Sequence, residues 1–461
     1  MFPGVMIRAG MFRRGLQVAA GLLSAAVLVP VLAAQEPTPS PSPEVSPSPR
    51  PETDAGTRAY EWRTLRQQRF TRIQPDKPGF LERQVLTFEK AERPSLLELN
   101  LRGLYPRIQG IARGSRPAAG VRFWQPDIGP SGVDIHGSAF WSIAGYELYD
   151  LQFGRIPHRD GKLPRRSTEG LEVDELGDLT PQGPARQFRL HTSLRYQHFP
   201  RVHYFGPGPD SRLADESTFL DQKAFYELVG GYQFSARFSL TGRAGYLQAF
   251  VGPGEDASDP GTQDLFTDAG APGLLRQPDF LVFSGQAFWD GRDQPGNPRR
   301  GVAVGVQVSR ADDRGGEHFG FTRMAADVRG FVTLGSIQRV LALRAHISSD
   351  NPDPGARVPF YLQENLGGSH TLRGFESFRF RDDTLLLLQA EYRWYPGPAV
   401  ELALFADAGR VAPRVRDLFE RLEADLGVGL RFKSNRATYF RVDLARSREG
   451  SRLLLRFNQG F

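Results

Sequence analysis

Cysteine is missing altogether from the 461 residues. That excludes thiolate metal sites, cysteine nucleophiles and disulfide stapling, and it suits a chain exported through an oxidising compartment. Long apolar runs are nearly missing as well. Hydrophobic residues make up 40% and mean hydropathy is −0.39, so no bundle of membrane helices is implied. Clustered charge is the third lack. The formal charge is +6 and the pI near 9.6, yet the basic residues are scattered through strand-like segments, which argues against a nucleic-acid partner. Anionic lipopolysaccharide or phospholipid headgroups fit such a surface better.

The one long apolar run, Leu16 to Ala34, follows Arg8, Arg13 and Arg14 and ends in small residues near Val31-Leu32-Ala33. A basic start, an apolar middle and a small-residue finish predict a secretory signal over residues 1–33; an uncleaved anchor helix is the other reading. Residues 34–56 are rich in Pro, Ser and Thr and predict an extended tether. Residues 57–103 are charged, with one amphipathic helix expected around Gly79 to Ala91, where Phe80, Leu81, Val85, Leu86 and Phe88 form a stripe. It reads either as a helix at the periplasmic rim or as a plug.

From Leu104 to Phe461 strand signals recur. In Val400 to Gly409, Leu402, Leu404, Ala406 and Ala408 alternate with Glu401 and Asp407. In Thr438 to Ala445, Phe440, Val442 and Leu444 alternate with Tyr439, Arg441 and Asp443; Leu453, Leu455, Phe457 and Phe461 repeat the pattern against Arg456 and Asn458. Charge at every second position is hard to bury in a sandwich and comfortable against a water-filled lumen. Sixteen segments are expected, starting near Leu104, Ala118, Gly132, Gly145, Arg186, Gln222, Arg237, Pro278, Gly301, His318, Ile337, Thr384, Ala399, Ala424, Ala437 and Ser451. The fold class is therefore all-β: a sixteen-stranded antiparallel transmembrane barrel with a short N-terminal helix. Tight gaps (234–237, 334–337, 395–398) alternate with long ones (200–221, 251–277, 351–382). Pro157 to Ala185 breaks the alternation, through a slipped register or an insertion. Trp124, Trp141, Tyr146, Tyr149, Trp394 and Tyr395 fall near strand ends and are candidates for interfacial girdles.

The loop Leu366-Gly-Gly-Ser-His-Thr-Leu-Arg-Gly-Phe375 carries one arginine among glycines. If Arg373 lies inside a barrel it needs carboxylates, and Glu391 and Asp407 occupy polar-face positions of the next two strands. A solvated Arg373 on a loop tip is the competing reading.

This stretch resembles the BamA/TamA superfamily of outer-membrane assembly and translocation barrels, also called bacterial surface antigens. The resemblance rests on Leu372-Arg373-Gly374-Phe375, with Glu391 and Phe405-Ala-Asp407-Ala-Gly409 as wall partners. It implies that an Arg-Gly-aromatic motif on the sixth outer loop meets acidic residues of the wall. The stretch Asp290-Gly-Arg292-Asp293 to Asn297 and Gly301 is similar to a family turn. The end of the chain, with Leu455, Phe457 and Phe461, is similar to the family's final-strand targeting signal. About fifty residues lie between the tether and the first strand, fewer than one periplasmic substrate-handling (POTRA) module needs, so a branch lacking those modules is expected.

Assembly, insertion or translocation of protein or lipid at the outer membrane is the expected role. The mechanism would use a weak seam between first and last strands, with Gly110, Gly114 and Gly460 weakening the pairing there. A passive, partly plugged pore or a structural anchoring barrel is the alternative. His370 beside Ser369 has no carboxylate at a supporting spacing, so an enzyme is not expected. No cofactor or metal is expected. The expected partners are outer-membrane lipid, lipopolysaccharide, unfolded barrel clients and periplasmic factors, with the chain itself a monomer.

Overall fold

The computed structural model describes residues 103–456, apart from 130–131, 157–185, 256–258, 295–296, 317, 398–399 and 434–437. The expected signal, tether and helix near 79–91 lie outside the described residues, as do Phe457, Gly460 and Phe461.

The chain first runs through β1 (Leu104–Gln109), β2 (Ala118–Ile128), β3 (Val133–Ser142), β4 (Glu147–Gly154), β5 (Gln187–Tyr204) and β6 (Ser217–Gln233). It continues through β7 (Phe238–Pro253), β8 (Phe280–Asp290), β9 (Gly301–Asp313), β10 (Phe321–Thr333) and β11 (Arg339–Pro352). A small hairpin follows, β12 (Glu364–Leu366) with β13 (Phe380–Asp382), inside the loop before β14 (Thr384–Trp394). The last strands are β15 (Val400–Ala412), β16 (Glu423–Lys433), β17 (Thr438–Ser447) and β18 (Gly450–Arg456). Apart from the small hairpin, these strands form one sixteen-stranded antiparallel sheet in chain order, with β1 and β18 at its two ends. Helix among the described residues is confined to short turns such as Thr262–Leu265.

The period-2 patterning decides the two faces. On β15, Glu401, Ala403, Phe405 and Asp407 are buried while Leu402, Leu404 and Ala406 are exposed. On β17, Arg441 and Asp443 are buried and Leu444 is exposed. An apolar exposed face with a charged buried face is inverted relative to a soluble sheet and matches a wall between lipid and an aqueous interior.

The connections 205–216, 254–279 and 353–383 all fall at one end of the sheet, as in outer-membrane barrels, where long loops face outward. The long segment before β5 falls at the short-turn end. Because β4 and β5 pair directly, Glu147 against His198 and Gly154 against His191, the register holds across this connection.

Three expectations need correction. Strand β6 begins at Ser217, well before Gln222, because the sheet projects past the polar Ser-Thr start to bury Phe219. Gly110 and Gly114 lie beyond the end of β1, in the following loop, where Gly114 has φ +80°. They do not weaken the first strand's pairing. Of the six aromatic residues, Trp124, Tyr146 and Tyr395 are buried. Trp124 packs edge-on against His136 at 6.2 Å. Trp394 is exposed at the short-turn end together with Phe188, Tyr232, Phe234 and Trp289, and Trp141 is exposed at the opposite, long-loop end.

The largest apolar core sits at the long-loop end. Phe140, Tyr204, Phe219, Phe280 and Phe321 from the strands pack with Phe360, Tyr361 and Leu362 from the loop that carries the hairpin. Phe360 meets Tyr204 at 4.9 Å and Phe219 at 4.8 Å between ring centroids, within the range of favourable aromatic pairs.

Candidate functional site: an arginine loop held against the sheet wall

The loop between β11 and β14 turns inward because its own apolar residues demand it. Leu366, Leu372, Phe375 and Phe380 form a buried cluster with Leu385 and Leu387 of β14 and Val411 of β15. Between β12 and β13 the chain makes a tight excursion in which Gly367 and Gly368 have φ of +113° and +96°. That conformation favours glycine.

The excursion delivers Arg373, 1% exposed, to the wall. Its Nε donates to Asp407 Oδ2 at 2.6 Å and its Nη2 to Asp407 Oδ1 at 2.7 Å, a bidentate pair. Its Nη1 donates to Glu391 Oε2 at 3.0 Å. The guanidinium lies 3.5 Å from the centroid of the Phe405 ring. The neighbouring Gly374 amide donates to Asp425 Oδ2 at 2.9 Å, and Ser447 Oγ donates to the Gly374 carbonyl at 2.7 Å. A Cβ on Gly374 would sit 2.6 Å from the Asp425 Cβ, so glycine is what lets the loop approach this closely. Phe375 is fully buried and meets Phe380 at 5.3 Å. Five sequence-predicted residues, Arg373, Gly374, Phe375, Glu391 and Asp407, thus occupy one locus.

Behind them stands a charge lattice that sequence reasoning did not assemble. Glu391 also accepts from Arg393 Nε at 2.6 Å and pairs with Arg431. Arg431 Nη1 donates to Glu401 at 2.5 Å, and Arg441 pairs with Asp443. Gln389 Nε2 bridges Asp407 Oδ1 (3.1 Å) and the Thr371 carbonyl (2.9 Å). Buried ions are tolerable only when each finds partners, and the lattice supplies them. Alternation marks each residue's face, but which ones meet depends on register. Gln389, Asp407 and Asp425 share one row, while Glu391, Phe405 and Gly427 share the next.

The same loop is tied to both ends of the sheet. Near β1, Arg113 Nη1 donates to Asn365 Oδ1 at 2.6 Å and to the Gly367 carbonyl at 3.1 Å, and its guanidinium lies 4.8 Å from the Phe378 ring centroid. On β18, Arg456 donates to the Ser369 carbonyl at 2.8 Å and lies against the His370 ring, while Arg452 Nη2 donates to Glu376 at 2.7 Å. Arg379 and Glu449 pair at 3.0 Å. His370 is therefore a contact between loop and wall.

The turn residues form a separate structure at the short-turn end. Arg292 holds Asp290 through two contacts of 2.9 and 2.8 Å. Asp293 Oδ1 accepts from the amides of Gln294 and Arg299, and Asn297 Oδ1 accepts from Tyr395 OH at 3.3 Å. Gly301, φ +108°, would clash with the Gly291 carbonyl if it bore a Cβ. Leu455 is exposed on the outer face of β18. Among the described residues no group of three or more His, Asp or Glu side chains is arranged to hold a metal ion.

A sixteen-stranded antiparallel sheet, apolar outside and charged inside, with an arginine loop drawn against its inner wall, defines an outer-membrane barrel. The sequence matches the model of the Omp85 superfamily domain over residues 187–459. The chain belongs to the Omp85 superfamily, whose barrels serve assembly and translocation at the outer membrane of Gram-negative bacteria, and that membrane is where this protein resides. Among solved structures it is similar to BamA from Haemophilus ducreyi, solved lacking POTRA domains 1–3, with 13% identity over 86% of this chain and 81% of that one, at a TM-score of 0.53. It is also similar to CdiB from Escherichia coli, with 10% identity over 79% of this chain and a TM-score of 0.50; it spans 64% of that protein's length. At these identities the likeness is one of fold. Among curated proteins none matches.

Proposed function

We propose that this protein assembles or translocates protein or lipid at the outer membrane, through a barrel closed between β1 and β18 and held in its resting state by the Arg373 loop. The observation that carries the reading is the loop's set of attachments: one buried arginine on the β14–β15 wall, and further arginines binding the loop to both ends of the sheet. A loop so placed couples the wall to the junction of first and last strands, where an edge has only a neighbouring edge to pair with. A plain porin has no use for such an attachment. In this reading Arg373, Gly374, Phe375, Glu391 and Asp407 act as the clamp. Asp290, Arg292, Asp293, Asn297 and Gly301 fix a turn at the periplasmic rim. Leu455, Phe457 and Phe461 form the targeting signal. The clients are unfolded barrels delivered with or without periplasmic factors, and the protein works as a monomer.

The test is reconstitution in thin-bilayer liposomes with a second, unfolded barrel protein. Faster folding of that barrel, lost in Arg373→Ala, is the expected result. An unchanged folding rate overturns the insertion reading. High ion conductance of the same liposomes would then point to the passive pore.

A further inference from the structure

The lipid-facing surface is not uniformly studded with large side chains. Across β10, β14, β15 and β16 its floor consists of Gly330, Ala390, Ala406, Ala408 and Ala424, and in the register Ala390 lies opposite Ala406 and Ala408 opposite Ala424. Larger exposed residues, Val328, Leu343, Leu388 and Leu426, stand beside this floor. The result is an almost wholly apolar groove of about 980 Å³ on the outer face, at the upper end of the roughly 300–1,000 Å³ common for ligand clefts.

One end of the groove reaches Arg446. This residue is exposed on the outer face of β17, one position below the turn into β18, in the row that contains Leu426 and next to Leu444 and Leu453. Its contact within the protein is a 3.3 Å hydrogen bond from Nη1 to Ser451 Oγ. A guanidinium on a lipid-facing surface is costly unless it meets an anion at the interface. Around it the rim is basic. Of Arg410, Arg414, Arg416, Arg421, Arg446 and Arg448, four are ion-paired, Arg410 with Glu420, Arg414 and Arg416 with Asp417, and Arg448 with Glu423, while Glu449 turns to Arg379; the six arginines still outnumber these carboxylates. Exposed Val415 and Phe419 project from the loop between β15 and β16 at the same level, as interfacial residues do.

We infer that the part of this groove nearest the long loops is an outer-leaflet lipid site: acyl chains lie along Ala406, Ala408 and Ala424, and a headgroup phosphate sits on Arg446 and the neighbouring basic rim. The long-loop end faces outward, so the occupant is the phosphorylated, multiply acylated glycolipid of that leaflet, lipid A. Charge complementarity at Arg446 beside an apolar trough selects it over an uncharged lipid. The site lies on the opposite side of the wall from the Arg373 clamp and stands whether or not the assembly reading holds.

Native mass spectrometry of the full chain, released from nanodiscs of defined lipid, tests this. Bisphosphorylated lipid A is expected to remain bound at one per protein. Dephosphorylated lipid A, or Arg446→Glu with intact lipid A, is expected to lower the retained fraction about tenfold, the effect of one charge-assisted contact. Ala406→Trp, which fills the floor, is expected to lower it too. Both positions are exposed, so heat-modifiable gel mobility should report a folded barrel. Arg446→Gln serves if the glutamate variant fails to fold. The proposal is overturned if Arg446→Glu or Arg446→Gln retains lipid A as the wild type does, or if the tryptophan has no effect. Equal retention of phosphatidylglycerol and lipid A overturns it as well.

Discussion

The Arg373 guanidinium stacks on Phe405, and the space that Phe405 needs is provided by Gly427 one strand over. A Cβ at Gly427 would lie 2.4 Å from the Phe405 ring and 2.3 Å from the Leu444 carbonyl. The aromatic platform under the arginine therefore depends on a glycine more than fifty residues away in sequence. Such dependence makes the clamp a property of three strands together.

Arg373→Ala removes the shared partner of two fully buried carboxylates. Breaking a buried pair from one side costs about 3–5 kcal/mol, and the barrel's thermal transition, followed by heat-modifiable gel mobility, should fall accordingly. Arg373→Lys should recover only part of this, since an ammonium cannot make the bidentate contact with Asp407. Equal midpoints for wild type and Arg373→Ala would remove the clamp as a stabilising element.

Arg452→Ala tests the opposite regime. Its pair with Glu376 is about a third exposed on both sides, and pairs of that kind contribute roughly 0.2–1 kcal/mol. The expected midpoint change is small and fades in high salt. A loss comparable to that of Arg373→Ala would show that the β18 attachment bears far more than its exposure allows.

Gly427→Val should cost about 1–3 kcal/mol through overpacking against Phe405 and the adjacent backbone. It should also loosen the loop, seen as faster protease cleavage between Gly367 and Arg379. Unchanged cleavage would mean that the ring is not what seats the arginine.

Asp382, at the end of the loop hairpin, is pushed up to about 6 by burial, with Asp383 adding repulsion. It lies opposite Glu364 in the hairpin register, and Arg381 lies beside it in sequence. The folded value exceeds the ordinary 3.8, so the fold favours the protonated acid. That contribution, at most about 3 kcal/mol, is complete below about pH 4 and is lost as pH rises through 6. The midpoint difference between wild type and Asp382→Asn should therefore change between pH 4.5 and 7.5, with the wild type falling more steeply. Parallel pH profiles would assign the slope to other groups.

Much of this was legible in the sequence because a barrel strand declares its faces locally. Arg441-Val-Asp443-Leu444 reads charged-in, apolar-out with no knowledge of its neighbours. Strand starts are likewise marked by turn chemistry, and only β6, whose polar beginning looks like loop, misled. The acidic partners of Arg373 could be named because β14 and β15 follow the loop directly. Arg431, Arg441 and Asp425 could not, since their meeting with Glu391 and Gly374 depends on register across four strands. Trp124 and Tyr395 looked like interfacial aromatics because position near a strand end does not reveal which face a ring occupies.

The packed aromatic core at the long-loop end has a bearing on traffic. Tyr204, Phe219 and Phe360 interlock there with the loop that Arg373 anchors. A straight axial path for ions or cargo would require pulling these rings apart while the arginine still held the loop's other arm. Leakage through the resting protein should accordingly be slight and intermittent.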